Sequence, residues 1–237
     1  MSMIEYSLDG HIAVVTMKNG ENRFNLPFLT EFLNVLDILE KDTEATVLVV
    51  KSAHEKIFSN GIDLDWLMPF IQNNDIATSK KFINQLMALY KRILMYPMIT
   101  VAAITGHAFA GGAIMVCYFD YRFMRSDRGF LCFPEVDLGI PFIPGMIAAM
   151  KRAVPLYKLE EMVYEGKRLT GQECEKHHIV TKACTMDTLM DEVFTFSRAT
   201  NKRRAVIREL KKEMNKHVLH ALEVEDPPVI ESGRFYV

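Results

Sequence analysis

The sequence predicts an α/β fold, and three stretches predict it. Residues 46–50, Thr-Val-Leu-Val-Val, form a continuous apolar run, the pattern of a strand buried on both faces. Ahead of it the chain reads strand, strand, helix. Residues 100–120, TVAAITGHAFAGGAIMVCYFD, pass from an apolar β-branched segment through a glycine turn into an apolar helical segment. The N–H groups at such a helix start have no partner inside the helix, and with the helix dipole they favour negative charge in front of them. Small residues line the turn, so a ligand can approach its backbone closely. Taken alone, the segment reads as a tight packing turn, because a lone glycine-rich turn is a weak signal.

In chain order, residues 4–8 and 12–17 are strands around Asp9-Gly10, a hairpin signal. Residues 19–25 form a polar loop. Leu26-Pro27 opens a helix to about Lys41, with Phe28, Leu29, Phe32, Leu33, Val35, Leu36 and Leu39 on a broad apolar face. After the strand at 46–50, Lys56 to Leu64 breaks at Ser59-Asn60-Gly61, and a helical turn begins near Ile62 or Asp63, which suits Asp63 as a capping residue. Residues 77–96 are an amphipathic helix ended by Tyr96-Pro97. The strand at 100–105 leads to a small-residue loop at 107–112 and a helix at 113–119. Residues 121–124 and 130–133 are short strands around Asp127-Arg128-Gly129. Residues 134–141 are irregular, and Glu135 stands among Phe133, Pro134 and Val136. A carboxylate in that company either faces solvent or sits in an apolar pocket with a raised pKa. The remainder is mainly helical (144–153, 158–164, 186–197, 202–220), with a turn at 170–173, a short strand at 179–183 and an extended tail at 223–237 holding Pro227-Pro228.

The whole chain bounds its function. Its 237 residues fit one large domain, alone or with a small appendage, and 49% hydrophobic residues supply a sizeable core. A net charge of −2 with scattered Lys and Arg gives no footprint for nucleic acid or a membrane surface. No apolar run approaches the roughly 20 residues of a membrane span. The amino terminus lacks the apolar core of a signal peptide, and residues 234–237 are neither a peroxisomal nor an ER-retention address. The four cysteines lack CxxC spacing and suit reduced thiols of a cytoplasmic protein, and no metal site is expected. The 15 methionines suit adaptable packing.

Three segments in order, FSNGIDL at 58–64, ITGHAFAGGAIM at 104–115 and FPEVDLGI at 133–140, resemble the enoyl-CoA hydratase/isomerase (crotonase) superfamily over essentially the whole chain. Within it the sequence is most similar to the Δ3,Δ2-enoyl-CoA isomerases. The plant-type enzymes share FSNGxDL, the TGHA turn and an RDRGFL run, written here SDRGFL at 126–131. The resemblance implies a crotonase-type spiral of ββα units: a core over residues 1–185, then a C-terminal helical region and tail at 186–237 used in trimerisation. It implies an acyl-CoA thioester as substrate and no separate cofactor, since coenzyme A is carried by the substrate.

Carried over position by position, the resemblance places the two N–H donors for the thioester oxygen on Ile62 and Gly111, and the substrate contacts along Phe58, Ser59, Asn60, Gly61, Ile62 and Gly111. Hydratases carry two glutamates. One position is Ile114 in this chain, which moves no proton, and the other is Glu135. Double-bond migration needs one base and hydration needs two proton-handling groups, so the residues favour isomerisation over hydration; the alternatives are another acyl-CoA enzyme of the superfamily (hydratase, thioesterase or decarboxylase) or a non-catalytic acyl-CoA-binding subunit. Family members bring a basic side chain near Arg23 towards the CoA phosphates; a solvated Arg is nearly as good an account of that residue. His107 and Asp120 read as structural. Asp137 reads as a support for Glu135 or as a loop or salt-bridge residue. Ser59 and Cys117 lack a His-Asp pattern for nucleophilic catalysis.

Overall fold

The computed structural model describes residues 2–233. Strands β1 (Ile4–Asp9) and β2 (Ile12–Met17) pair antiparallel around Gly10. A two-residue strand β3 (Arg23–Phe24) precedes α1 (Leu26–Asp42), which Asn25 caps by accepting from Phe28 N. Then follow β4 (Val47–Ser52), β5 (Ile57–Ser59), β6 (Gly61–Ile62), α2 (Leu64–Gln72) and α3 (Ile76–Leu94). The central stretch is β7 (Ile99–Ile104), β8 (His107–Phe109), α4 (Gly111–Val116), β9 (Tyr121–Arg125), β10 (Leu131–Cys132) and α5 (Glu135–Leu138). The rest is α6 (Pro144–Ala153), α7 (Leu156–Tyr164), α8 (Gly171–Lys176), β11 (Lys182–Cys184), α9 (Met186–Ala199), α10 (Arg204–Met214), α11 (Lys216–His220), a π-helical turn (Ala221–Glu225) and α12 (Asp226–Ser232).

The main sheet has the order β1-β2-β4-β7-β9-β11, parallel from β2 onward. Both its faces are covered, which is why β4 and β7 are apolar without alternation. Leu48, Val50, Ala102 and Ile104 face a large core that holds the buried stripes of α1 and α3. Val47, Val49, Val101 and Ala103 face a smaller core closed by Leu189 and Val193 of α9. Two small parallel sheets, β10-β8-β5 and β3-β6, lie outside the main one and carry the glycine turns.

Several segments differ from the expectations. The polar loop at 19–25 contains β3, and the small-residue loop at 107–112 contains β8. Both strands are too short to show a pattern and exist through pairing with β6, and with β5 and β10. The helix after the turn starts at Gly111 and not at 113. The irregular segment holds the single turn α5, closed by Gly139 in the left-handed conformation. The helix expected over 202–220 breaks at Asn215. Residues 223–232 are helical and not an extended tail: Pro227 and Pro228 occupy the first turn of α12, where a missing N–H is tolerated. The part of that tail at 234–237 lies outside the described residues.

The C-terminal helices are tied to the core by buried polar groups. Lys211 of α10 pairs with Asp120 at 2.7 Å and donates to Met98 O. Asp226 Oδ1 accepts from Gly145 N in the first turn of α6 at 2.7 Å, across 81 residues.

Candidate active site

The site is assembled from two glycine turns that meet. Gly61 has φ +76°, and a Cβ on it would fall 2.5 Å from Gly111 N; glycine alone allows that approach. β6 pairs with β3 in the register Phe24 to Ile62, and Asp63 N donates to Phe24 O. Successive N–H groups alternate sides along a strand, so the Ile62 N–H, next to the Asp63 N–H that meets β3, faces away from β3. A Cβ on Gly111 would lie 3.5 Å from Ile62 N. Gly111 is the first residue of α4, where an N–H has no partner within the helix. The backbone nitrogens of Ile62 and Gly111 are therefore neighbours where the two turns meet.

Both belong to the wall of a cavity of ≈ 470 Å³. Its lining includes Arg23 and Asp65, whose side chains reach solvent, and Asn60, and is otherwise mostly apolar, with Ile83, Ile114, Leu138, Phe142, Ile143 and Met146. Glu135 also lines it and is only 5% exposed. Among the described residues its Oε2 has no hydrogen-bond partner. Burial raises its pKa from 4.5 to about 7, against a smaller lowering by its own backbone N–H. That value suits a group that accepts and returns a proton near neutrality.

The surroundings of Glu135 differ in one respect from the expectation. Val136 is 50% exposed and packs towards the loop at Gly166, so it does not desolvate the carboxyl. Ile114, Pro134 and Phe142 share the cavity with Glu135 and supply the apolar setting. Ile114 is almost fully buried there.

The other expected residues fall into place as follows. Ile62, Gly111, Asn60 and Arg23 line the cavity with Glu135. Phe58 and Ser59, expected among the substrate contacts, are fully buried outside its lining. Phe58 is core, and the Ser59 hydroxyl is spent on the turn itself, donating to Asn22 O at 2.7 Å and accepting from Gly61 N at 3.1 Å. Gly61 shapes the wall through its contact with Gly111 and is not itself part of the lining. Arg23 is held between Glu21 at 2.7 Å and Asp65 at 2.9 Å. Asp63 caps α2 by accepting from Trp66 N. Asp120 is structural, bonded to Thr100 and Lys211. His107 is wedged between Phe109, which lines the cavity, and Phe130, with its pKa lowered by burial and by Arg168 and Arg128, and is not itself part of the lining. Asp137 is exposed and packs towards Gly166. Cys117 is buried, its thiol pushed up to about 12. No group of three or more His, Cys, Asp or Glu among the described residues is placed to hold a metal, and no helix among them is long and apolar enough to cross a membrane.

The sequence did not point to the wall formed by Ile83, Phe142, Ile143 and Met146, nor to Tyr90, whose hydroxyl donates to Gly111 O at 2.7 Å. The residue pair Pro141-Phe142 after Glu135 was the available signal for the wall. For Tyr90 there was none, because it shares the buried stripe of α3 with seven other apolar residues.

Residues 8–225 match the model of the family described as enoyl-CoA hydratase/isomerase. The chain is 32% identical over 177 residues to enoyl-CoA delta isomerase 3 of Arabidopsis thaliana, covering 73% of this chain and 74% of that protein. It is 26% identical over 200 residues to the trans-2-decenoyl-[acyl-carrier-protein] isomerase of Streptococcus mutans, covering 81% and 74%. Among solved structures, an enoyl-CoA hydratase/isomerase family protein of Pseudomonas syringae superposes with a TM-score of 0.86 at 22% identity, covering 98% of this chain and 96% of that one. The apo Mtb enoyl-CoA isomerase does so at 0.87 and 19%, covering 98% of both. At those identities the two structures establish the fold, which is of the crotonase type.

Proposed function

The chain belongs to the enoyl-CoA hydratase/isomerase family, and from that premise we propose that it is a Δ3,Δ2-enoyl-CoA isomerase with Glu135 as its single base. One observation carries the proposal: the buried carboxylate of Glu135 shares an apolar cavity with Ile62, Gly111 and Ile114, and Ile114 falls at the position where the resemblance to hydratases implies a second carboxylate. The acyl-CoA thioester oxygen accepts hydrogen bonds from Ile62 and Gly111 N–H. Glu135, as carboxylate, removes a proton from C2. The C2–H electron pair flows into C1–C2, and the charge settles on the thioester oxygen, where the two donors meet it. This kind of stabilisation is usually the largest catalytic contribution, and one donor is worth about 3 kcal/mol. Glu135, now neutral, delivers the same proton to C4, whose C3–C4 π pair forms the new C–H bond; the C1–C2 pair moves into C2–C3, the oxygen re-forms its double bond to C1, and Glu135 is left as carboxylate beside a C2–C3 double bond conjugated with the thioester. Atoms and electrons balance without an added cofactor.

Arg23, whose side chain reaches solvent from the lining, is proposed to meet a CoA phosphate, and Ile83, Ile143 and Met146 to face the acyl chain. A homotrimer through the C-terminal helical region, residues 186–237 set against a core of 1–185, is proposed with it. The support is an exposed apolar row on α10, Val206, Leu210 and Met214, spaced four residues apart on one face. A mass in solution equal to one chain would remove the trimer. Free, buried cysteines support a cytoplasmic location.

The experiment is incubation with a 3-enoyl-CoA while the conjugated 2-enoyl thioester is followed by ultraviolet absorption. Appearance of that band without free CoA or CO₂ is the expected result. Binding without turnover would mark an acyl-CoA binder, and released CoA or CO₂ a thioesterase or decarboxylase.

A further inference from the structure

The donor at Gly111 depends on a peptide plane that the local backbone does not favour. The plane joining Ala110 to Gly111 sets the direction of the Gly111 N–H, and Ala110 holds it at φ 48°, ψ −128°, outside the main regions open to a residue with a Cβ. Turning the plane over would carry Ala110 towards the left-handed basin near about +57°, +47°. Gly111 accepts either orientation. A turned plane would aim the Ala110 carbonyl at an incoming oxygen in place of an N–H. The first turn of α4 therefore needs fastening from outside.

Three hydrogen bonds fasten it. Ala110 N donates to Cys132 O at 3.1 Å, Ile114 N donates to Ala110 O at 2.9 Å, and the Tyr90 hydroxyl donates to Gly111 O at 2.7 Å. The third comes from a side chain and reaches the donor residue itself. A Cβ on Gly111 would lie 3.2 Å from the Tyr90 oxygen, so the hydroxyl also sets the floor beneath the turn. Tyr90 is immobilised in its turn. It is fully buried, stacked on Tyr118 with ring centroids 4.8 Å apart, and set edge-on to Phe24.

We propose that Tyr90 is a positioning residue for the oxyanion donor: its O–H holds Gly111 in helical register and so keeps the Gly111 N–H aimed at the thioester oxygen. The inference rests on the proposed function. Tyr90 lies beneath the turn and does not line the cavity, so its effect falls on the charge that develops during reaction and not on substrate binding.

The test is Tyr90→Phe, which keeps the ring and removes the hydroxyl. The first readout is the infrared stretch of a ¹³C-labelled thioester carbonyl in a bound saturated acyl-CoA, which falls in frequency as the oxygen accepts strong hydrogen bonds. Wild-type protein should show the lowered stretch. Tyr90→Phe should lose at least half of that shift while binding the acyl-CoA within about twofold, and in turnover kcat should fall roughly ten- to hundredfold with KM held within about twofold. Tyr118→Phe removes a hydroxyl from the same stack, one that donates to Gly145 O and not to Gly111, and should keep the carbonyl shift. A full shift with undiminished kcat in Tyr90→Phe overturns the inference, as does an equal loss in Tyr118→Phe. An unshifted carbonyl in wild-type protein overturns the oxyanion-hole reading and this inference with it. A shifted carbonyl that Tyr90→Phe abolishes, in a protein that does not isomerise, upholds the positioning role and overturns the isomerase assignment alone.

Discussion

Gly61 and Gly111 are packed backbone to backbone, with no room for a methyl group between Gly61 Cα and the Gly111 nitrogen. Their contact fixes the distance between the two donors. Gly61→Ala forces them apart and also strains a residue at φ +76°. Isomerisation should fall on the order of 10²- to 10³-fold in kcat/KM, and urea unfolding should show a loss of about 1–3 kcal/mol. A variant with normal initial rates would separate the two turns from catalysis.

Glu135→Gln should bind acyl-CoA and lose isomerisation by several orders of magnitude, as measured by calorimetry and by the ultraviolet assay. Its stability should change with pH in a defined direction. The Glu135 pKa is raised from 4.5 to about 7 by burial. Below the lower value the carboxyl is protonated whether the chain is folded or not, and costs nothing. Between the two values the unfolded chain releases a proton that the folded chain keeps, so stability falls as pH rises. Above about 7 the full penalty, about 3 kcal/mol, is present. Glu135→Gln should therefore gain about that much over wild type at pH 8 and close to none of it at pH 4. In wild-type protein kcat/KM should climb with pH through about 7 as the base ionises.

Ile114→Glu places a second carboxylate in the cavity beside Glu135. Water addition to a 2-enoyl-CoA should become measurable as loss of the conjugated absorption, while isomerisation drops about tenfold or more through like-charge coupling with Glu135. A variant that folds, isomerises normally and adds no water would show that Ile114 does not govern the choice.

Arg23 in the cavity lining is shared by two carboxylates, one of them, Asp65, largely in solvent. Asp65→Asn removes one competitor for a CoA phosphate. KM for CoA thioesters should fall about two- to fivefold at low salt and return as salt rises. Thioesters of N-acetylcysteamine, which lack the phosphates, should be unaffected; an equal change for both would remove Arg23 as a phosphate contact.

Legibility of the fold followed the size of the local signal. Thr46 to Val50 and Thr100 to Thr105 showed their strands because both sheet faces are covered, and the α1 and α3 stripes were equally plain. β3 and β8 carry no pattern of their own, since Arg23–Phe24 and His107–Phe109 become strands through partners elsewhere in the chain. In the site, Gly61, Gly111 and Glu135 were visible because short motifs contain them. The burial of Glu135 was one of two readings that its apolar flanks allowed, and its source was not visible: the neighbouring Val136 is exposed, and Ile114 and Phe142, which share the cavity, arrive from α4 and from the segment before α6. Tyr90 acts on a carbonyl 21 residues away, through a hydroxyl that periodicity counts as one more apolar position.

The bond from Asp226 to Gly145 has a consequence for the order in which the protein is made. Gly145 follows Ile143 and precedes Met146 on the apolar wall, and its N–H is satisfied by a carboxylate 81 residues further along. During synthesis the glycine turns and Glu135 leave the ribosome well before that anchor. The Gly145 N–H therefore gains its carboxylate partner only after residue 226 has emerged, which makes the fastening of this part of the cavity wall a late event.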